Sequence, residues 1–110
     1  MTGWGRRAAT ASEVKFTLKE CDMPEDLQRQ VTTLIKEAVF EAGVGDTRAP
    51  AHGGRTKVAR ALKKRLDERD GDSAWHVVVG NAFASYVTHE HERYLYAYCG
   101  PLAVLVFRSA

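Results

Sequence analysis

At 110 residues, 45% of them hydrophobic and 27% charged, the chain has the size and composition of one globular domain. A net charge of +2, with 16 basic residues against 14 acidic ones, is too even a balance to mark a nucleic-acid binder. The two cysteines, Cys21 and Cys99, stand in no CxxC or zinc-ligand spacing, which excludes a disulfide framework or zinc finger and suits a reduced, intracellular setting.

Residues 1–12 read as a loose tail. They lack the apolar stretch of a secretory signal, and Thr2 stands where a myristoylation site requires glycine. No apolar run reaches the roughly 18 residues of a membrane span, so no membrane partner is expected. A single domain is expected over 13–110. It opens with EVKFTLK (13–19), where Val14, Phe16 and Leu18 alternate with polar residues, the pattern of a half-buried strand. Asp22, Pro24, Glu25 and Asp26 then mark a helix start, because proline fits the first turn and carboxylates favour the positive end of the helix dipole. Leu27, Val31, Leu34, Ile35, Ala38 and Val39, spaced by three and four, predict an amphipathic helix over about 24–42 that Gly43 closes. Residues 43–54, with four glycines and Pro50, read as an extended loop. TKVARALKKRLDERD (56–70) predicts a second helix with Val58, Ala61, Leu62 and Leu66 inward. Its other side carries Lys57, Arg60, Lys63, Lys64 and Arg65, read as a solvated basic face.

After Gly71 the periodicity changes. WHVVVG (75–80), FASYVTHE (83–90), RYLYAYC (93–99) and LAVLVF (102–107) are short, rich in β-branched and aromatic residues, and separated by NA, HE and GP turns. Their near-continuous apolar runs imply strands covered on both faces. The expected fold is α+β, two helices packed on an antiparallel sheet in the order β-α-α-β-β-β-β.

The chemistry-bearing residues cluster in SYVTHEHERYLYAYCG (85–100). Residues two apart in a strand share a face, so His89 and His91 can reach one metal ion, with Cys99 or His52 as the soft candidates for a third ligand. The competing reading is a polar hairpin end with no metal, and it is the one preferred here. Nucleophile elbow, HExxH and glycine-rich phosphate loop are all missing, so no catalytic residues and no cofactor are assigned. Tyr94, Tyr96 and Tyr98 alternate with Leu95, Ala97 and Cys99, giving one aromatic strand face. Spacing alone leaves that face open between core packing and the wall of a groove.

The run WHVVVGNAFASYVTHEHERYLYAYCGPLAVLVFRSA resembles the C-terminal half of the small dynein light chain family, the light-chain-eight type. The motif W-H-x-x-V-G-x-x-F-x-S-Y-V-T-H-E carries the resemblance, with the spacing to Y-x-Y, G and F-R-S at the end of the chain. It continues upstream through KVARALKKRL and DMPEDLQ, covering about residues 13–110. The resemblance implies a non-enzymatic, strand-exchanged homodimer in which each subunit lends Phe83 to Glu90 to its partner's sheet. It further implies two grooves, each between that strand and the second helix. Disordered client segments, often with a Thr-Gln-Thr core as in the dynein intermediate chain, would add there as a further strand.

By the same resemblance, Arg55 and Thr56 would meet the client's glutamine. Phe83, Ala84, Ser85, Tyr86, Val87, Thr88 and His89 would template its backbone, and Tyr94, Tyr96, Tyr98, Ala103 and Leu105 would form the groove wall. His76, Ser85, Tyr86, Val87 and Ser109 would meet at the dimer interface. A cytoplasmic, microtubule- or dynein-associated location follows, extending to an axoneme. The chain departs from the family pattern in a loop 43–54 longer by about ten residues, in Arg55-Thr56 at the helix entry, in Asn81-Ala82, in Ala97 and in Pro101. These departures suggest an alternative role, a diverged structural subunit fixed in one dynein complex without general peptide binding.

Overall fold

A computed structural model of the protein describes residues 10–43, 54–81, 83–85 and 87–109. A 3-10 turn, Ala11–Glu13, precedes β1 (Phe16–Asp22), α1 (Glu25–Glu41), α2 (Gly54–Asp70), β2 (Trp75–Gly80), β3 (His89–Cys99) and β4 (Leu102–Ser109). The strands form one antiparallel sheet in the order β1-β3-β4-β2. Residues 1–9 of the expected tail, and 44–53 of the expected loop with His52, lie outside the described residues.

One face of the sheet carries both helices. Leu27, Val31, Ile35, Ala38 and Val39 of α1 and Val58, Leu62 and Leu66 of α2 are buried against Trp75, Leu95, Ala97, Cys99, Leu102, Val104 and Val106. Each fully buried Leu or Ile contributes about 1.5–3 kcal/mol, so this cluster carries most of the fold's stability. α1 lies where its periodicity predicts, its first-turn Glu25 and Asp26 both paired with Arg29. The helices are tied along their flanks by Arg65 to Glu37 and Glu41 and by Arg69 Nε donating to Gln30 at 2.8 Å.

Several boundaries differ from the sequence expectation. α2 begins two residues earlier, at Gly54, which places Arg55 and Thr56 inside its first turn. β1 runs over 16–22 rather than 13–19, because the 3-10 turn takes Ala11–Glu13 and a bulge between Leu18 and Glu20 carries the strand on to Asp22. Leu18 faces the helix side, opposite Ala97, yet stays 38% exposed on this outer strand.

The larger correction concerns 83–90. The described residues 83–85, 87 and 88 belong to no strand, and the next strand starts at His89 rather than Arg93. It crosses the expected HE turn with a bulge, its register jumping between His89 and Tyr94, where Glu92 takes a left-handed φ of 59°. Among the described residues, four strands therefore form where five were expected. β4, whose residues Leu102 to Val106 are buried in succession, is the doubly covered strand that an uninterrupted apolar run implies.

Candidate functional site

Register places the aromatic residues. Asp22, Tyr94, Phe107 and His76 form one row across the sheet on the side away from the helices. Glu20, Tyr96, Leu105 and Val78 form the next, and Thr17, Tyr98, Ala103 and Gly80 the third. The tyrosines thus share a face, as alternation requires. Tyr96 and Tyr98 meet edge to face at 5.9 Å, and Lys19 Nζ sits 5.3 Å over the Tyr98 ring. Burial, with Glu20 adding to it, pushes the Tyr94 phenol above its ordinary range. Val78 and Tyr98 are 44% and 40% exposed, a large apolar outlay for an open face.

Residues 83–85 turn back over this face. The Phe83 ring tilts against Tyr96 at 5.4 Å, and Ser85 sits beside the Tyr94 hydroxyl. A Cβ on Gly80 would stand 3.2 Å from Phe83 Cδ2, so the close approach of the ring depends on glycine there. Ala103 and Leu105 lie buried in the single chain, in the rows that hold Tyr98 and Tyr96. Ala84, Ser85 and Thr88 are exposed, Val87 is half-buried, and Tyr86 lies outside the described residues.

A second surface lies around the corner. Among the described residues β2 pairs with β4 alone, so its outer edge offers the backbone groups of WHVVVG without a ladder partner there. Beside that edge, α2 and β2 enclose a groove of about 470 Å³, with Val77 on its strand wall and Thr56, Ala59, Arg60, Lys63, Lys64 and Asp67 along its helix wall. At its head, Arg55 donates through Nε and Nη2 to Asn81 Oδ1 at 3.1 and 2.8 Å, joining the first turn of α2 to the end of β2. At its foot, Lys63 Nζ donates to Asp67 and to the Trp75 carbonyl, each at 2.8 Å.

Arg108 organises the base of the same region. It donates to Asp70 at 2.9 Å, to both oxygens of Asp72 at 3.0 and 2.8 Å, and to Glu90 at 3.2 Å, with its guanidinium 5.8 Å over the Trp75 ring. Hydrogen bonds from Arg108 and then from the Ala74 N–H hold the Asp72 carboxyl below its ordinary range. Trp75 Nε1 donates to Asp70 at 2.8 Å, so the one indole N–H in this buried side chain is satisfied.

The histidines go separate ways. His89 lies against Tyr94 at 4.8 Å, and its Nδ1–H donates to the Glu90 carbonyl at 2.8 Å. His91 is exposed, with Nε2 3.7 Å from Glu92. Among the described residues no three His, Cys, Asp or Glu side chains converge as metal ligands. His76 stacks on Phe107 at 4.9 Å, its Nε2 2.9 Å from the Ser109 hydroxyl, which donates to the Ala74 carbonyl at 3.1 Å. Burial pushes the Cys99 thiol up to about 11, so it carries no thiolate at neutral pH.

The expected site residues therefore fall on two surfaces in the single chain. Phe83, Ser85, His89, the three tyrosines, His76 and Ser109 gather on or beside the open sheet face. Arg55 and Thr56 stand at the helix–strand groove. Arg60, Lys63, Lys64 and Val77 line that groove but read from the sequence as a solvated face and a strand interior. The signal available was the stripe 56, 59, 60, 63, 67 at helical spacing, which puts them on one side of α2.

The family model for dynein light chain type 1 matches residues 15–109. A cytoplasmic dynein light chain 1 from Candida glabrata is 39% identical over 92 residues, 84% of this chain and 94% of that one. The one from Saccharomyces cerevisiae is 37% identical over 84% of this chain and 89% of its own. The dynein light chain-like domain of a Fasciola hepatica calcium binding protein superposes with a TM-score of 0.69 at 18% identity, over 94% of this chain and all of that one, a likeness of fold. The chain belongs to the dynein light chain type 1 family.

Proposed function

We propose that two copies of this chain exchange the segment Phe83–Thr88, and that extended client segments add to the exchanged strand in the groove beside α2. One observation carries the reading: the described residues of that β-rich segment join no ladder in their own chain, while the adjoining edge of β2 is left without a strand. Unpaired edges and unpaired β-formers are sources of association, and each satisfies the other across two chains. The apolar open face, centred on Val78 and the tyrosines, gives the second copy a surface to cover. The relatives, named as cytoplasmic dynein light chains, support a cytoplasmic subunit of a dynein assembly. The dynein intermediate chain is proposed among its clients.

In this arrangement the client's glutamine meets the first turn of α2 near Arg55 and Thr56, where helix geometry leaves N–H groups without intrahelical acceptors. Sedimentation of the full chain at neutral pH should give a dimer. Calorimetry with a Thr-Gln-Thr peptide should give one site per subunit, weakened about tenfold or more by glutamine to alanine. A monomer overturns the exchange. A dimer that binds no such peptide at high micromolar concentration leaves a structural dynein subunit without general peptide binding.

A further inference from the structure

The helix wall of the groove is a basic rim over an apolar strand. Arg60 and Lys64 are exposed and, among the described residues, neither forms an ion pair, while Lys63 is held by Asp67 and the Trp75 carbonyl. The exchanged segment FASYVT contains no charge, so that strand itself brings nothing to compensate the rim. Whatever lies between that segment and α2 is the group positioned to neutralise it.

The spacing fits one kind of occupant. Arg60 and Lys64 are four helical residues apart, about 6 Å along the axis. Residues two apart on an extended chain project the same way at about 6.6–6.8 Å. The groove spans residues 56 to 67 of α2, about 16 Å, enough for five residues of an added strand. We propose that the α2 rim selects clients bearing Asp or Glu at two positions two residues apart, one carboxylate for Arg60 and one for Lys64. A duplex nucleic acid fits less well: Val77 and Ala59 make part of the surface apolar, Asp67 closes one end, and the whole chain is only +2.

This selection rests on the groove reading above, and the test separates the two. The dimer is titrated with a neutral Thr-Gln-Thr peptide and with derivatives in which pairs of aspartates are moved along the residues flanking the core. Binding should tighten about three- to tenfold for one pair two residues apart, and not for pairs on adjacent residues; the gain should vanish at high salt. R60Q/K64Q should abolish the gain, read as the ratio of acidic-pair to neutral-peptide affinity within that same variant, and R60E/K64E should reverse the preference toward lysine-bearing peptides. Binding of the neutral peptide with no gain from any aspartate pair overturns the selection and leaves the groove reading standing. No binding of any peptide removes both. Duplex DNA binding as tightly as the acidic peptide, and lost in R60Q/K64Q, would assign the rim to nucleic acid instead.

Discussion

The two outer strands of the sheet expose similar amounts of apolar side chain but treat their edges in opposite ways. Leu18 on β1 is 38% exposed and Val78 on β2 44%. β1 carries Lys19, Glu20 and Asp22 and breaks its register with a bulge between Leu18 and Glu20, devices that make an edge a poor template. β2 reads WHVVVG, without formal charge, proline or bulge, and keeps an unbroken register with β4 over all six residues. One edge is blunted and the other is left ready for a strand. Under the proposed exchange, the edges and not the amount of exposed apolar surface decide where a second copy adds its strand.

The sharpest test of this contrast uses two matched substitutions. Val78→Lys places a charge on the open face beside β2's free edge, where a second copy would desolvate it. Dimer dissociation should rise by about 100-fold or more while the chain keeps its helical signal. Leu18→Lys, at nearly the same exposure, should change chain stability by no more than about 0.5 kcal/mol and leave dimerisation alone. Sedimentation equilibrium on both variants decides it. Equal effects on the dimer would erase the distinction between the edges.

That contrast also marks how far the sequence could be read. Helix α1, the core stripe of α2 and β4 follow from periodicity, because local spacing and burial agree there. β1 was displaced because its apolar alternation ends at Leu18, whereas the strand passes through a bulge that re-phases Cys21 inward opposite Leu95. The segment 83–88 has strand composition, yet its described residues join no strand, since propensity states a preference and a ladder needs a neighbour. The shared face of the three tyrosines was legible from alternation; their separation from Arg55 and Thr56 was not, because it depends on how α2 crosses the sheet. The placement of Arg60 and Lys64 along the groove and of Arg108 among three carboxylates was hidden for a similar reason: long cationic side chains look alike in a sequence until their surroundings are placed.

Arg108 supplies the next, smaller effect. It is the point where the loop after α2, the start of β2 and the start of β3 are joined, through Asp70, Asp72 and Glu90. Among the described residues β1 shows no comparable network, so loss of Arg108 should loosen the β2 side selectively. Arg108→Met keeps an apolar stem over Trp75 but leaves three carboxylates without their shared cation. It should cost about 1–2 kcal/mol, or roughly 5–15 °C in Tm, after allowance for solvent screening at the exposed Asp72 and half-buried Glu90. Arg108→Lys should recover less than half of this, because an ammonium cannot serve three acceptors with the planar fork of a guanidinium. Hydrogen exchange should rise first in residues 71–80 and not in β1; uniform loosening of the sheet would show that the network is not local.

The smallest effect is a pH dependence confined to the same corner. Asp72 has its pKa lowered in the folded chain, first by hydrogen bonds from Arg108 and then by the Ala74 N–H. A carboxyl depressed by folding contributes stability that is fully present above its unfolded value, near 3.9, and is lost as pH falls through the folded value. Because this carboxylate is exposed, water and salt screen the contribution, and it should weaken further as salt rises. Asp72→Asn keeps the size and an acceptor oxygen but removes the titration. The Tm difference between the parent and Asp72→Asn should therefore stay constant from pH 7 to about 5 and shrink as pH drops below about 4. A difference that grew on acidification would reverse the sign and place the carboxyl's stabilisation in its protonated form. In the Arg108→Met background the difference should be small at every pH, since the main cause of the depressed pKa is gone.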